Sequence, residues 1–330
     1  MSRWIRHLGL LLGLAATAAF VAYAARTLRG QDLSRYLAPP AIGGIALAAV
    51  CYALIIPISA LAWRLLLKDM GVARRWRELA TIMGITQLAK YIPGNVGQHI
   101  GRAAMSLARG IPLRPYGISV VSEAVLAAIA AALVGIAGCG MSGPGMRLLP
   151  GHHGALALPA LLVAACALAL GLVLARRALP SLLRRFASKR HGGDAHGALP
   201  GNRILAAALL AYVLNYLVFG TGIAAMTLLL LPGQPAHWLL LTGGFALAWV
   251  VGFFAPGAPA GLGVREGLML ALLQFGYSPP DALLIVIAMR LATTAGDILC
   301  FLAGSAALFL SGRTIGARAA MRPIGDHHET

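Results

Sequence analysis

The stretch Phe254-Ala255-Pro256-Gly257-Ala258-Pro259-Ala260-Gly261-Leu262-Gly263-Val264-Arg265-Glu266 interrupts an apolar run with prolines, glycines and charge. A second stretch, Lys90-Tyr91-Ile92-Pro93-Gly94-Asn95-Val96-Gly97 running on to Gly101-Arg102, does the same. In hydrocarbon an unsatisfied backbone group costs several kcal/mol, so irregular backbone persists at depth only against protein or a water-filled cavity. Two such interruptions predict helices broken around one shared cavity.

The likeness of the two stretches extends beyond the prolines. Arg102 follows Pro93 by nine residues, as Arg265 follows Pro256; Glu123 follows Pro112 by eleven, as Arg290 follows Pro279. A weak internal repeat carrying Gly/Pro-interrupted hydrophobic segments is the sequence mark of a transporter core.

Of the 330 residues, 59% are hydrophobic and only 11% charged, with a mean hydropathy of +0.80. Soluble domains hold about 45–50% apolar residues, and a membrane helix needs about 20 consecutive ones. Spans are expected near 8–25, 39–67, 115–140, 155–175, 204–231, 238–255 and 281–310. The predicted fold class is all-α: a polytopic transmembrane helix bundle with two Pro-Gly-broken, re-entrant segments and an internal repeat. Residues 1–330 then form a single integral membrane domain. Its first repeat half is about 39–175, a basic cytoplasmic loop covers 176–203, and the second half is about 204–312.

The formal charge of +17 suggests nucleic acid only until the basic residues are located. Lys68, Arg74, Arg75 and Arg77 follow one expected span, and Arg176, Arg177, Arg184, Arg185, Lys189 and Arg190 follow another. Lys/Arg excess in short loops marks the cytoplasmic side and attracts anionic headgroups. No base-reading motif accompanies it, so no nucleic-acid partner is expected. Arg3 and Arg6 before the first apolar run imitate a signal peptide, but further spans follow, so an uncleaved anchor with a cytoplasmic amino terminus is expected. In a bacterium that membrane is the inner one.

Leu79, Ile82, Met83, Ile85, Leu88 and Ala89 have helical spacing, Pro93-Gly94 ends that helix, and Gly97 to Arg109 can form a second short one. Together they make a hairpin entered from the cytoplasm. For 255–277 two arrangements remain open: a dip that returns, which exports the basic tail with Arg313, Arg318 and Arg322, or a crossing that keeps it inside and inverts the two halves. The charges favour the crossing.

Charge inside an apolar span is costly and marks a functional hypothesis. Glu123, Arg290 and Asp297 qualify. Glu123 lies about 16 Å along a helix from Pro112, near mid-membrane, and Arg290 lies equally deep after Pro279. Arg290, Thr293, Thr294 and Asp297 recur at i, i+3, i+4 and i+7 on one helix face. A buried charge wants a partner, so Glu123 and Arg290 are expected to meet, either as a structural lock or as part of a polar path. Lys90, Arg102 and Arg265 sit beside the breaks, where free helix amides already favour anions. The expected substrate site comprises Lys90, Pro93, Gly94, Arg102, Glu123, Pro256, Gly257, Gly261, Gly263, Arg265, Glu266, Arg290 and Asp297. Gly94, Gly257, Gly261 and Gly263 would let backbone turn sharply against a ligand.

No catalytic or metal centre is expected, and no cofactor. Cys51, Cys139, Cys166 and Cys300 are scattered in apolar surroundings, His152-His153 and His327-His328 are merely adjacent, and no G-x-S-x-G, H-E-x-x-H or P-loop occurs.

The chain resembles the transmembrane region of lysylphosphatidylglycerol synthases, a flippase-like family. The resemblance rests on Lys90 to Gly94 with Gly101-Arg102, and on Pro256-Gly257 followed by Gly261-Leu262-Gly263-Val264-Arg265-Glu266-Gly267. The latter is similar to a P-G-G-L-G-x-R-E-G pattern, with Ala258-Pro259-Ala260 as an insertion-like departure. The resemblance implies lipid translocation without synthase activity. The expected partner is a membrane lipid with an anionic or phosphorylated headgroup. The alternative is a non-transporting accessory subunit that presents a lipid precursor to a membrane-embedded glycan- or lipid-modifying enzyme.

Overall fold

The computed structural model describes residues 21–23, 25–27, 29, 38–91, 97–143, 200–255 and 261–320, the last ten by helical backbone alone. Pro93, Gly94, Pro256 and Gly257 lie outside these residues, as do most of the expected 8–25 span, the 155–175 span, Cys166 and the paired histidines.

The described residues form helices and no strand. They are α1 Pro39–Ala53, α2 Ile55–Asp69, α3 Trp76–Thr86 leading into a 3₁₀ turn Gln87–Tyr91, α4 Gly97–Ala108 and α5 Leu113–Met141. After the 144–199 segment come α6 Asn202–Leu230, α7 Trp238–Phe254, α8 Val264–Leu273 and α9 Pro279–Ala320. Four stretches are long and apolar enough to cross a membrane: Pro39–Asp69, Leu113–Met141, Asn202–Leu230 and Pro279–Leu310. The expected span at 238–255 is α7, a shorter apolar helix of 17 residues.

Proline sets several helix starts, its fixed φ suiting a first turn whose N–H groups have no partner. Pro39-Pro40 open α1 and Pro279-Pro280 open α9. Ser278 caps α9: its Oγ accepts from the Asp281 amide at 3.3 Å and donates to Asp281 Oδ2 at 2.6 Å. The expected span over 39–67 is present as the single stretch Pro39–Asp69, whose helix is interrupted at Leu54. Pro57 has no N–H, so the Ala53 carbonyl loses its helical partner. The Cys300 thiol of α9 donates weakly to that carbonyl, at 3.6 Å.

Helices in lipid associate where small residues let backbones approach. A Cβ on Gly243 of α7 would stand 2.7 Å from the Cys139 amide nitrogen of α5, and one on Gly84 of α3 would stand 2.6 Å from the Cys300 carbonyl of α9. Gly296 of α9 lies similarly against α1, where a Cβ would stand only 2.8 Å from the Ala49 carbonyl, and Gly222 of α6 faces Ala48 and Cys51 of α1. Such contacts draw the long helices together around a polar interior.

Candidate functional site

One cavity of about 230 Å³ lies inside the bundle. Lys90, Tyr91 and Gln98, which flank the first break, line it together with Gly252, Phe253 and Arg265, which flank the second. The described flanks of both segments therefore line one cavity, while Pro93-Gly94 and Pro256-Gly257 themselves lie outside the described residues.

Its charges fall into distinct clusters. Arg102 of α4 meets Glu123 of α5 at two points: Nη1 donates to Oε2 and Nη2 to Oε1, each at 2.7 Å. The guanidinium lies 3.7 Å from the centre of the Trp63 ring, whose Nε1 donates to Ser119 Oγ at 2.9 Å. An aromatic roof and a two-point carboxylate suit the planar guanidinium better than they would an ammonium.

Asp297 of α9, fully buried, anchors the second cluster. Its Oδ1 accepts from Lys90 Nζ at 2.7 Å and Gln87 Nε2 at 3.0 Å, and its Oδ2 accepts from Tyr91 Oη at 2.6 Å. Lys90 also donates to Tyr52 Oη at 3.1 Å. This network ties the 3₁₀ turn before the first break to the last helix.

The third cluster surrounds the amino terminus of α8. Gly261 and Gly263 adopt φ of 71° and 81°, a region glycine enters without a Cβ penalty. Glu266 reaches back so that its Oε2 accepts from the Gly263 amide at 2.7 Å, capping the helix. Its Oε1 stands 3.2 Å from Arg290 Nη1, an ion pair without hydrogen-bond alignment. Arg265 is different. It is 7% exposed and lies 4.7 Å from the centre of the Phe245 ring, and its Nε and Nη2 have no hydrogen-bond partner.

The expected meeting of Glu123 with Arg290 is therefore corrected. Both line the cavity, but Glu123 takes Arg102 and Arg290 takes Glu266. Equal depth after a proline says how far along a helix a residue lies, not which neighbour its face meets. Arg102, expected beside a ligand phosphate, lines the cavity with both terminal nitrogens engaged by a carboxylate and Nε unpartnered. Glu266 likewise serves as a helix cap. The predicted polar face of α9 is present, with Arg290, Thr293 and Asp297 lining the cavity.

Tyr52, Gln87, Tyr212 and Asn215 also line the cavity, although they belong to none of the expected site residues. Tyr212, Asn215 and Tyr216 recur at i, i+3 and i+4 on α6, a spacing that marks one polar stripe in an otherwise apolar helix. His99 of α4 also lines the cavity, and burial, together with the charge of Arg102, holds its imidazole below the ordinary range. The four cations Lys90, Arg102, Arg265 and Arg290 line the cavity with the carboxylates Glu123 and Asp297, and Glu266, outside the lining, faces Arg290; among the described residues these charges leave a single surplus positive charge. Arg265 carries it.

Long apolar helices packed through small residues around a charged interior define a polytopic α-helical integral membrane protein. More particularly, the family model for the lysylphosphatidylglycerol synthase TM region matches residues 10–304, and the chain belongs to that family. Comparison with curated proteins yields no match.

Proposed function

We propose that the protein is a flippase-like carrier of the bacterial inner membrane, with its amino terminus in the cytoplasm. It would move a phospholipid or other lipid-linked phosphorylated molecule between leaflets, without covalent chemistry. The observation that carries this reading is Arg265: a buried guanidinium with unpartnered donors, facing a polar cavity inside an apolar bundle. A buried cation without a counterion is costly, and an oxyanion supplies both charge and acceptors. Drug-sized ligand sites occupy about 300–1,000 Å³. The cavity's 230 Å³ suits a headgroup whose acyl chains stay in the bilayer.

On this reading the broken segments are re-entrant and keep their irregular backbone against the cavity. The test is leaflet exchange of a fluorescent phospholipid in proteoliposomes containing only this protein. Exchange faster than in protein-free vesicles, lost in Arg265→Gln, is the expected outcome. Saturable lipid binding with no exchange would favour the accessory-subunit alternative.

A further inference from the structure

We infer that the headgroup held in the cavity is rich in hydroxyls: a polyol or sugar ring joined to its phosphate. The inference deepens the reading above and rests on Arg265 taking that phosphate.

Hydrogen-bonding atoms left without partners describe what a ligand must bring. Among the described residues that line the cavity, the buried atoms in that state are Nε and Nη2 of Arg265, Nε of Arg102, Oη of Tyr212 and Oδ1 of Asn215. Both α6 side chains are deep in the bundle, Tyr212 only 6% and Asn215 only 5% exposed. A phosphate supplies acceptors for the guanidinium of Arg265. The rest form a mixed set: a guanidinium N–H only donates, an amide oxygen only accepts, and a phenol does both. An anion offers acceptors alone and an ammonium donors alone, whereas a hydroxyl offers both. Several hydroxyls on one frame therefore answer the whole set without adding charge, and each buried polar group left unanswered is costly.

Another part of the wall suits the body of such a ring. Trp249 and Phe253 line the cavity as a stacked pair, their centroids 5.1 Å apart and their planes at 11°, and Tyr216 meets Trp249 edge-on at 5.9 Å. Among the described residues the cations of the site stand over other rings, Lys90 over Tyr52 and Tyr91, Arg102 over Trp63 and Arg265 over Phe245. The aromatic wall thus meets the C–H face of a polyol while its hydroxyls reach Tyr212 and Asn215. Apolar and aromatic lining with a few placed polar groups is the usual makeup of a specific ligand site.

Competition in detergent, read by native mass spectrometry, tests this with probes of equal charge and identical acyl chains. They are phosphatidylinositol, phosphatidylglycerol and phosphatidylmethanol, whose headgroups carry a ring of hydroxyls, a pair and none. Retention should fall in that order, with phosphatidylinositol favoured over phosphatidylmethanol by about tenfold, the gain expected from a few added hydrogen bonds. Tyr212→Phe keeps the ring and removes a hydroxyl that has no partner to lose, so ligand-free thermal stability should hold while the preference narrows by about threefold. Arg265→Gln should weaken retention of all three lipids together. Equal retention of the three by the wild type, or a preference untouched in Tyr212→Phe, overturns the inference and assigns the unpartnered atoms to water alone. Equal retention that still depends on Arg265 would sink this inference and leave the phosphate reading standing, whereas a hydroxyl preference without leaflet exchange would sink the translocation reading alone.

Discussion

Arg102 and Glu123, separated by 21 residues in sequence, form a buried two-point ion pair with both contacts at 2.7 Å. Removing one partner from such a pair leaves an uncompensated charge and costs about 3–5 kcal/mol, whereas replacing both with apolar residues is far milder. Glu123→Leu and Arg102→Leu should each lower thermal stability in detergent strongly, and the double variant should recover much of the loss. Additive losses would show that the two residues are not energetically coupled.

The Asp297 network predicts a local effect. Asp297→Asn removes the charge that holds Lys90 and weakens the acceptor for Gln87 and Tyr91. Hydrogen exchange by mass spectrometry should show faster exchange across residues 87–91, with little change in α5 or α6.

Glu266 has separable duties. Glu266→Gln keeps an acceptor for the Gly263 amide but loses the charge facing Arg290, so the surplus in the cavity rises from one to two. Affinity for a short-chain anionic phospholipid should increase, by roughly three- to tenfold. Glu266→Ala also loses the cap, and should cost about 1 kcal/mol more in thermal stability.

Glycine positions separate crowding from helix propensity. Gly243→Ala would place a methyl 2.7 Å from the Cys139 backbone nitrogen and 3.0 Å from the Gly135 carbonyl. Forcing the helices apart should cost about 1–3 kcal/mol. Gly43, also helical, has nothing within 4 Å of the corresponding position, and Gly43→Ala should be neutral or slightly stabilising. Thermal unfolding of the two variants side by side checks the contrast.

Much of this architecture is legible along the chain. Apolar runs place the long helices, and the i, i+3, i+7 recurrence of Arg290, Thr293 and Asp297 marks the face that lines the cavity. Which charges pair is not legible in the same way. The choice of Arg102 over Arg290 by Glu123 depends on how α4 docks beside α5, a three-dimensional relation that residue spacing does not encode. The stripe of Tyr212, Asn215 and Tyr216 has the right period, but tyrosine in a membrane span also reads as an interfacial anchor. The division at Leu54 has its cause in Pro57, while the thiol that answers the freed Ala53 carbonyl comes from 247 residues away.

The glycine contacts also have a mechanical meaning. Packed helices can slide by small shear where side chains interdigitate and repack, but little where main chain rests on main chain. Gly84 and Gly304 join α3 to α9, Gly296 joins α9 to α1, and Gly222 joins α1 to α6, while Gly138 and Gly243 join α5 to α7. These contacts tie α3, α9, α1 and α6 into one series and α5 and α7 into another, which Gly252 and Gly261 extend to the start of α8, with a side-chain seam between the two. Thr242 of α7 meets Gly220 of α6 through its side chain at that seam, and Arg102 bridges to Glu123 of α5 beside it. A shear that widened or narrowed the cavity would meet interdigitated side chains there, which can repack, in place of main chain against main chain.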